Sequence, residues 1–174
     1  MRQLILGGAR SGKSALAERL AQATHKRLIY IATSDARRND AEMAKRIARH
    51  QSHRGNGWQT IEEPTALAMA LLQHCRADTC VLIDCTTLWL TNCLFSEKNC
   101  WQKEKLGLLE ALPKLAGEVI FVGNEVGQGI VPMGEINRTF VDESGWLHQD
   151  LARICDRVIF STAGLPQVLK GEAL

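Results

Sequence analysis

The chain has 174 residues, 45% hydrophobic and 23% charged, with 14 glycines and only four prolines. This composition excludes collagen-like, disordered and disulfide-scaffold classes and suits one soluble domain spanning residues 1–174. The net charge of +2, from 21 Lys and Arg against 19 Asp and Glu, is too small to argue for a nucleic-acid partner. No apolar run approaches the roughly 20 residues that cross a bilayer. The opening Met1-Arg2-Gln3-Leu4-Ile5-Leu6 meets glycine too early to be a signal-peptide core. A cytoplasmic protein with no membrane span is expected.

Short apolar runs alternate with helical patterns, which predicts an α/β fold with a mainly parallel sheet between helices, a three-layer arrangement. Gln3–Leu6 reads as the first strand, and Ser14–Ala23 as a helix with Leu16 and Leu20 one turn apart. Arg27–Ala32 is a second strand. Asp40–His50 is helical, with Met43 and Ile47 on one side and Glu42 four residues before Arg46 on the other. Pro64–Gln73 is a helix, Thr79–Asp84 a strand, and Leu88–Phe95 and Gln102–Leu115 are helices. Glu118–Val122 is a strand, Glu135–Ile154 a long helix or helix pair, and Arg157–Ser161 the last strand. Strands of continuous Val, Leu and Ile are expected where helices bury both faces. About five parallel strands or more are therefore expected.

Charge is uneven along the chain. Lys26, Arg27, Arg37, Arg38, Lys45, Arg46, Arg49 and Arg54 face only Asp35, Asp40 and Glu42 between His25 and Arg54. Such a segment is either a solvated helix face or a seat for a small polyanion. The six cysteines show no CxxC pair and no accompanying His-x3–5-His element, so zinc is not expected. Several lie in apolar stretches, where cysteine acts as a small hydrophobe, as structural thiols of a reducing compartment would.

The sharpest feature is Gly7-Gly8-Ala9-Arg10-Ser11-Gly12-Lys13-Ser14, which follows a predicted strand and opens a predicted helix. Gly7 and Gly12 permit backbone conformations that let successive amides turn inward around phosphate oxygens. The helix directs its positive end at the same anion. Lys13 supplies a cation to the β- and γ-phosphates, and Ser14 a hydroxyl to Mg2+. Asp84, ending a hydrophobic strand, is either the second magnesium anchor or a cap for the following helix.

With this loop go Tyr30-Ile31-Ala32-Thr33-Ser34, Glu42-Met43 with Arg46-Ile47 and His50, then Arg54, Trp58 and Glu62. Asp84-Cys85-Thr86-Thr87-Leu88-Trp89-Leu90-Thr91-Asn92 and Asn124-Glu125-Val126-Gly127-Gln128-Gly129-Ile130-Val131-Pro132 follow. In this order the chain resembles the bifunctional adenosylcobinamide kinase / adenosylcobinamide-phosphate guanylyltransferase family of cobalamin biosynthesis. The likeness runs over nearly the whole chain, to Ala163-Gly164-Leu165-Pro166. It departs at His148-Gln149, where the family commonly has an asparagine–glutamine pair, and at the charged Asp35–Asn39 stretch.

The resemblance implies a P-loop NTPase-like fold and two reactions. ATP or GTP phosphorylates the aminopropanol hydroxyl of adenosylcobinamide. GMP from GTP then joins that phosphate, giving adenosylcobinamide-GDP and pyrophosphate. It implies that His50 carries GMP covalently, and that nucleotide contacts fall to Gly7 through Ser14, Ala32, Thr33, Ser34, Gln51, Ser52, His53, Arg54, Glu62 and Asp84. It also implies a homotrimer.

The residues allow this chemistry. A neutral imidazole can attack the α-phosphorus of GTP, and the resulting phosphoramidate splits one difficult displacement into two. His50 also follows Met43 and Ile47 at helical spacing, the pattern of a half-buried packing histidine, and His53 is the local rival. Arg46, Arg49 and Arg54 stand near enough to neutralise phosphates, though Arg46 also suits Glu42. Glu125 reads equally as a metal or substrate contact and as part of a turn shaped by Gly127 and Gly129. The competing function is a P-loop small-metabolite kinase without nucleotidyl transfer. A GTP-dependent switch is disfavoured, because no Asn/Thr-Lys-x-Asp string occurs.

Overall fold

The computed structural model describes residues 1–34, 57–96 and 99–174. Among them a seven-stranded sheet runs in the order β3-β2-β4-β5-β1-β6-β7. The strands are β1 (Arg2–Gly7), β2 (Arg27–Ala32), β3 (Trp58–Glu62), β4 (Thr79–Asp84), β5 (Glu118–Asn124), β6 (Arg157–Thr162) and β7 (Leu165–Lys170). All pair in parallel except β6 with β7, which form an antiparallel hairpin. The helices are α1 (Lys13–Gln22), α2 (Leu67–His74), α3 (Thr86–Leu94), α4 (Trp101–Ala111) and α5 (Glu135–Ile154). None of the described helices is long and apolar enough to cross a membrane.

Alternation along the strands sorts the core into two faces. Leu4, Leu6, Ile29, Ile31, Val81, Ile83, Val119, Phe121 and Val158 pack under α2, α3, α4 and α5. Their neighbours Ile5, Tyr30, Cys80, Leu82, Ile120, Val122 and Ile159 pack on the other face with Leu16, Ala17 and Ala21 of α1. The helix-rich side centres on Trp89 and Trp101, both fully buried and meeting edge to face with ring centroids 5.2 Å apart. Each indole N–H is satisfied, as burial requires: Trp89 donates to the Thr65 carbonyl and Trp101 to Glu143 Oε2, both at 2.7 Å.

The five predicted strands are all present. Two further ones, β3 and β7, lie at the sheet edges, where polar residues and even Pro166 are tolerated because one backbone side needs no strand partner. The predicted helix at Pro64–Gln73 begins later, at Leu67. Its entry is a turn in which the Glu63 carboxylate accepts the amides of Thr65 and Ala66 at 2.9 and 2.7 Å. The helix expected to reach Leu115 is α-helical only to Ala111. Pro113 lacks an amide hydrogen, and Leu112–Lys114 tighten into a 3-10 turn. The predicted Asp40–His50 helix lies outside the described residues.

Connections from adjacent strands diverge at one place. β1 leads through α1 on one face toward β2, whereas β5 leads through α5 on the opposite face toward β6. The crevice between the carboxyl ends of β1 and β5 is thus a topological switch point, the usual ligand position in such sheets.

Candidate active site

The 7–14 loop stands at that switch point and links β1 directly to α1. Gly12 holds φ at +90°, and a Cβ there would come within 3.0 Å of Gly164 Cα, so the residue before α1 has to be glycine. Leu16 N–H donates to the Gly12 carbonyl at 3.0 Å, closing the first turn of α1. The Lys13 ammonium folds back over the loop and donates to the Gly8 carbonyl at 3.0 Å. Ser11 Oγ is buried without a hydrogen-bond partner among the described residues. A buried hydroxyl of this kind is costly unless a ligand satisfies it.

The last hairpin braces this loop. β6 and β7 turn through Ala163 and Gly164, whose φ values of 53 and 79° are those of a two-residue type I′ turn. The Gly164 amide and the Ser161 hydroxyl both donate to the Ser11 carbonyl, at 2.9 and 2.8 Å. Nothing in the sequence around Ser161 marks it for this role. The residue pair Ala-Gly between two apolar runs was the turn signal available.

The other expected nucleotide residues lie along the same edge. In register, Ala32 is opposite Glu62 on one side and Asp84 on the other, and Gly7 is opposite Asn124. Only β5 separates the ends of β4 and β1, so their backbones stand about 10 Å apart at ~4.8 Å per strand. Glu62 is exposed and Asp84 and Ser14 are half-buried. Thr33 differs: it is fully buried, and its hydroxyl donates to the Cys85 carbonyl at 2.7 Å and accepts from the Cys85 amide at 2.9 Å. Asn92 Nδ2 donates to the Thr33 and Pro64 carbonyls at 2.7 and 3.1 Å, fixing the strand end from α3. Thr33 therefore shapes the edge through its backbone. His50, Gln51, Ser52, His53 and Arg54 lie outside the described residues.

Asn124 and Glu125 close the crevice from the β5 side. The Asn124 amide donates to Thr87 Oγ1 at 2.8 Å, and the Glu125 amide to the Gly7 carbonyl at 3.1 Å. The Glu125 carboxylate accepts the Gly127 amide at 2.6 Å and lies 3.7 Å from His148 Nδ1. Burial favours the neutral imidazole of His148 and holds its pKa below the ordinary 6.5, against the opposing pull of Glu125. The His148 ring abuts Gly123, where a Cβ would come within 2.9 Å of Nε2.

No group of three or more His, Cys, Asp and Glu residues is arranged to hold a metal among the described residues. All six cysteines are free thiols, and all but Cys100 are buried. Burial pushes Cys80 and Cys85 up to about 11 and Cys155 up to about 12, and raises Cys75 and Cys93 as well. The five buried thiols are packing residues, poor nucleophiles where burial disfavours the thiolate.

Residues 3–169 match the family model described as cobinamide kinase / cobinamide phosphate guanyltransferase. The chain is 53% identical over 175 residues to the bifunctional adenosylcobalamin biosynthesis protein CobP of Pseudomonas aeruginosa, covering all of both. It is 33% identical over 181 residues to the bifunctional adenosylcobalamin biosynthesis protein CobU of Escherichia coli K12, covering 96% of this chain and 98% of the relative. A solved Pyrococcus horikoshii OT3 structure shares the fold alone, with a TM-score of 0.57 and 10% identity over 99% of this chain and 87% of that one. With the Gly7–Ser14 loop at the switch point of a mainly parallel α/β sheet and full-length relatives of this kind, the chain belongs to the cobinamide kinase / cobinamide phosphate guanyltransferase family, a bifunctional transferase of cobalamin biosynthesis.

Proposed function

We propose that one domain runs both reactions at a single nucleotide site on the carboxyl edge of the sheet, with the triphosphate in the Gly7–Ser14 loop. The inward amides, the start of α1 and Lys13 offset the phosphate charge, and Ser11 Oγ gains the acceptor it lacks. In the kinase step the aminopropanol oxygen of adenosylcobinamide takes the γ-phosphoryl group of ATP or GTP, and the nucleoside diphosphate leaves. In the second step a His50 nitrogen attacks the α-phosphorus of GTP and pyrophosphate leaves. The phosphate oxygen of adenosylcobinamide phosphate then displaces the imidazole, giving adenosylcobinamide-GDP.

Glu62, Ala32, Thr33 and Ser34 lie where the nucleoside would cross the ends of β2 and β3, and Gln51, Ser52, His53 and Arg54 complete its contacts. The Ser14 hydroxyl and Asp84 carboxylate are hard oxygen donors on one edge. That set suits Mg2+, which is held by one or two protein oxygens with water and substrate phosphates. Bound there, the ion would spread the charge of the phosphate under attack. A cytoplasmic homotrimer is part of the same reading.

The observation that carries the proposal is the gathering of Gly7–Ser14, Ala32, Glu62 and Asp84, scattered in sequence, onto one edge. Intact-protein mass spectrometry after mixing with GTP and magnesium tests it. One added GMP is expected in the parent and in His53→Ala, and none in His50→Ala, which keeps its kinase activity. An adduct that survives His50→Ala would refute the covalent step.

A further inference from the structure

The segment joining β5 to α5 is apolar where a surface loop is ordinarily polar. Ile130 is 99% and Met133 95% exposed, and Val126, Val131 and Ile136 are exposed beside them. The loop is held in this form. The Glu125 carboxylate accepts the Gly127 amide at one end. At the other, the Arg138 guanidinium donates to the carbonyls of Pro132 and Met133. The amide of its first residue, Glu125, donates to the Gly7 carbonyl at 3.1 Å, so the segment leaves the sheet next to the 7–14 loop. Apolar groups clustered in water in this way mark a binding surface.

We propose that Val126, Ile130, Val131, Met133 and Ile136 form the platform on which the corrin macrocycle of the acceptor rests. This assignment relies on the nucleotide reading above. Both reactions bring the same aminopropanol arm to a phosphorus atom at the 7–14 loop, so the rest of the acceptor has to lie alongside. That acceptor is a broad ring with an apolar body and an uncharged amide periphery. The run from Val126 to Gly134 carries no charged residue, whereas in the nucleotide reading the phosphate charge is met by Lys13 and the loop amides.

The test uses Ile130→Ser and Met133→Gln, singly and combined, in the full chain. Both side chains are exposed, so folding is not at risk. Each substitution is expected to raise the KM for adenosylcobinamide about tenfold. The KM for ATP and the GMP adduct formed from GTP alone should stay unchanged. An unchanged acceptor KM overturns the proposal. So does a rise accompanied by a lower sedimentation coefficient, which would make the patch a contact with a second copy, and so does a loss of ATP affinity, which would make it part of the nucleotide site. Failure of the nucleotide reading shows separately: Lys13→Ala would then leave ATP binding intact.

Discussion

The Ser161 hydroxyl donates to the Ser11 carbonyl across 2.8 Å, joining residues 150 positions apart in the chain. The Gly164 amide reaches the same carbonyl, so the 7–14 loop is braced by the last hairpin. Ser161→Ala removes one of the two bonds and leaves the carbonyl with the other. We expect a stability loss of about 1 kcal/mol in urea unfolding and a several-fold rise in the KM for ATP. An unchanged KM would mean that the loop holds its form without the hairpin.

Gly7 lies against the same brace. A Cβ there would come within 2.4 Å of the Ser161 carbonyl and 2.6 Å of Ser11 Oγ, while one at Gly8 would meet nothing within 4 Å. Gly7→Ala therefore forces either the hairpin or the loop aside. It should cost about 2 kcal/mol of stability by overpacking and abolish detectable ATP binding in calorimetric titration. Gly8→Ala should unfold within about 0.5 kcal/mol of the parent. Equal stability in the two variants would contradict the packing described.

The legible parts of the fold were those whose signal is local. Val81-Leu82-Ile83 and Val119-Ile120-Phe121-Val122 announce buried strands because both of their faces meet helices. Trp58–Glu62 and Leu165–Lys170 carry no such signal. They are strands because a neighbouring backbone offers hydrogen bonds at a sheet edge, which no periodicity records. The site divides in the same way. The 7–14 loop is readable because its chemistry and its spacing lie in eight consecutive residues. Ser161 and Gly164 reach that loop only through the order of the strands. Thr33 shows the reverse: the resemblance implies a nucleotide contact for it, while its side chain is consumed by the Cys85 backbone.

His148 supplies a pH-dependent contribution with a definite sign. Burial holds its folded pKa below the ordinary 6.5, so in the window just below 6.5 the unfolded chain binds a proton that the folded chain refuses. Stability rises with pH wherever the unfolded state holds more protons. The contribution is therefore complete above about 6.5 and is lost as pH falls through that window toward the lowered native value. His148→Asn has nothing to titrate there, and asparagine can still donate toward Glu125. Thermal unfolding followed from about pH 7.5 to about pH 5 should show a larger fall in Tm for the parent than for the variant. A steeper fall in the variant would reverse the assignment. The Glu125 carboxylate, 3.7 Å away, would then outweigh burial and hold His148 as a cation in the folded chain.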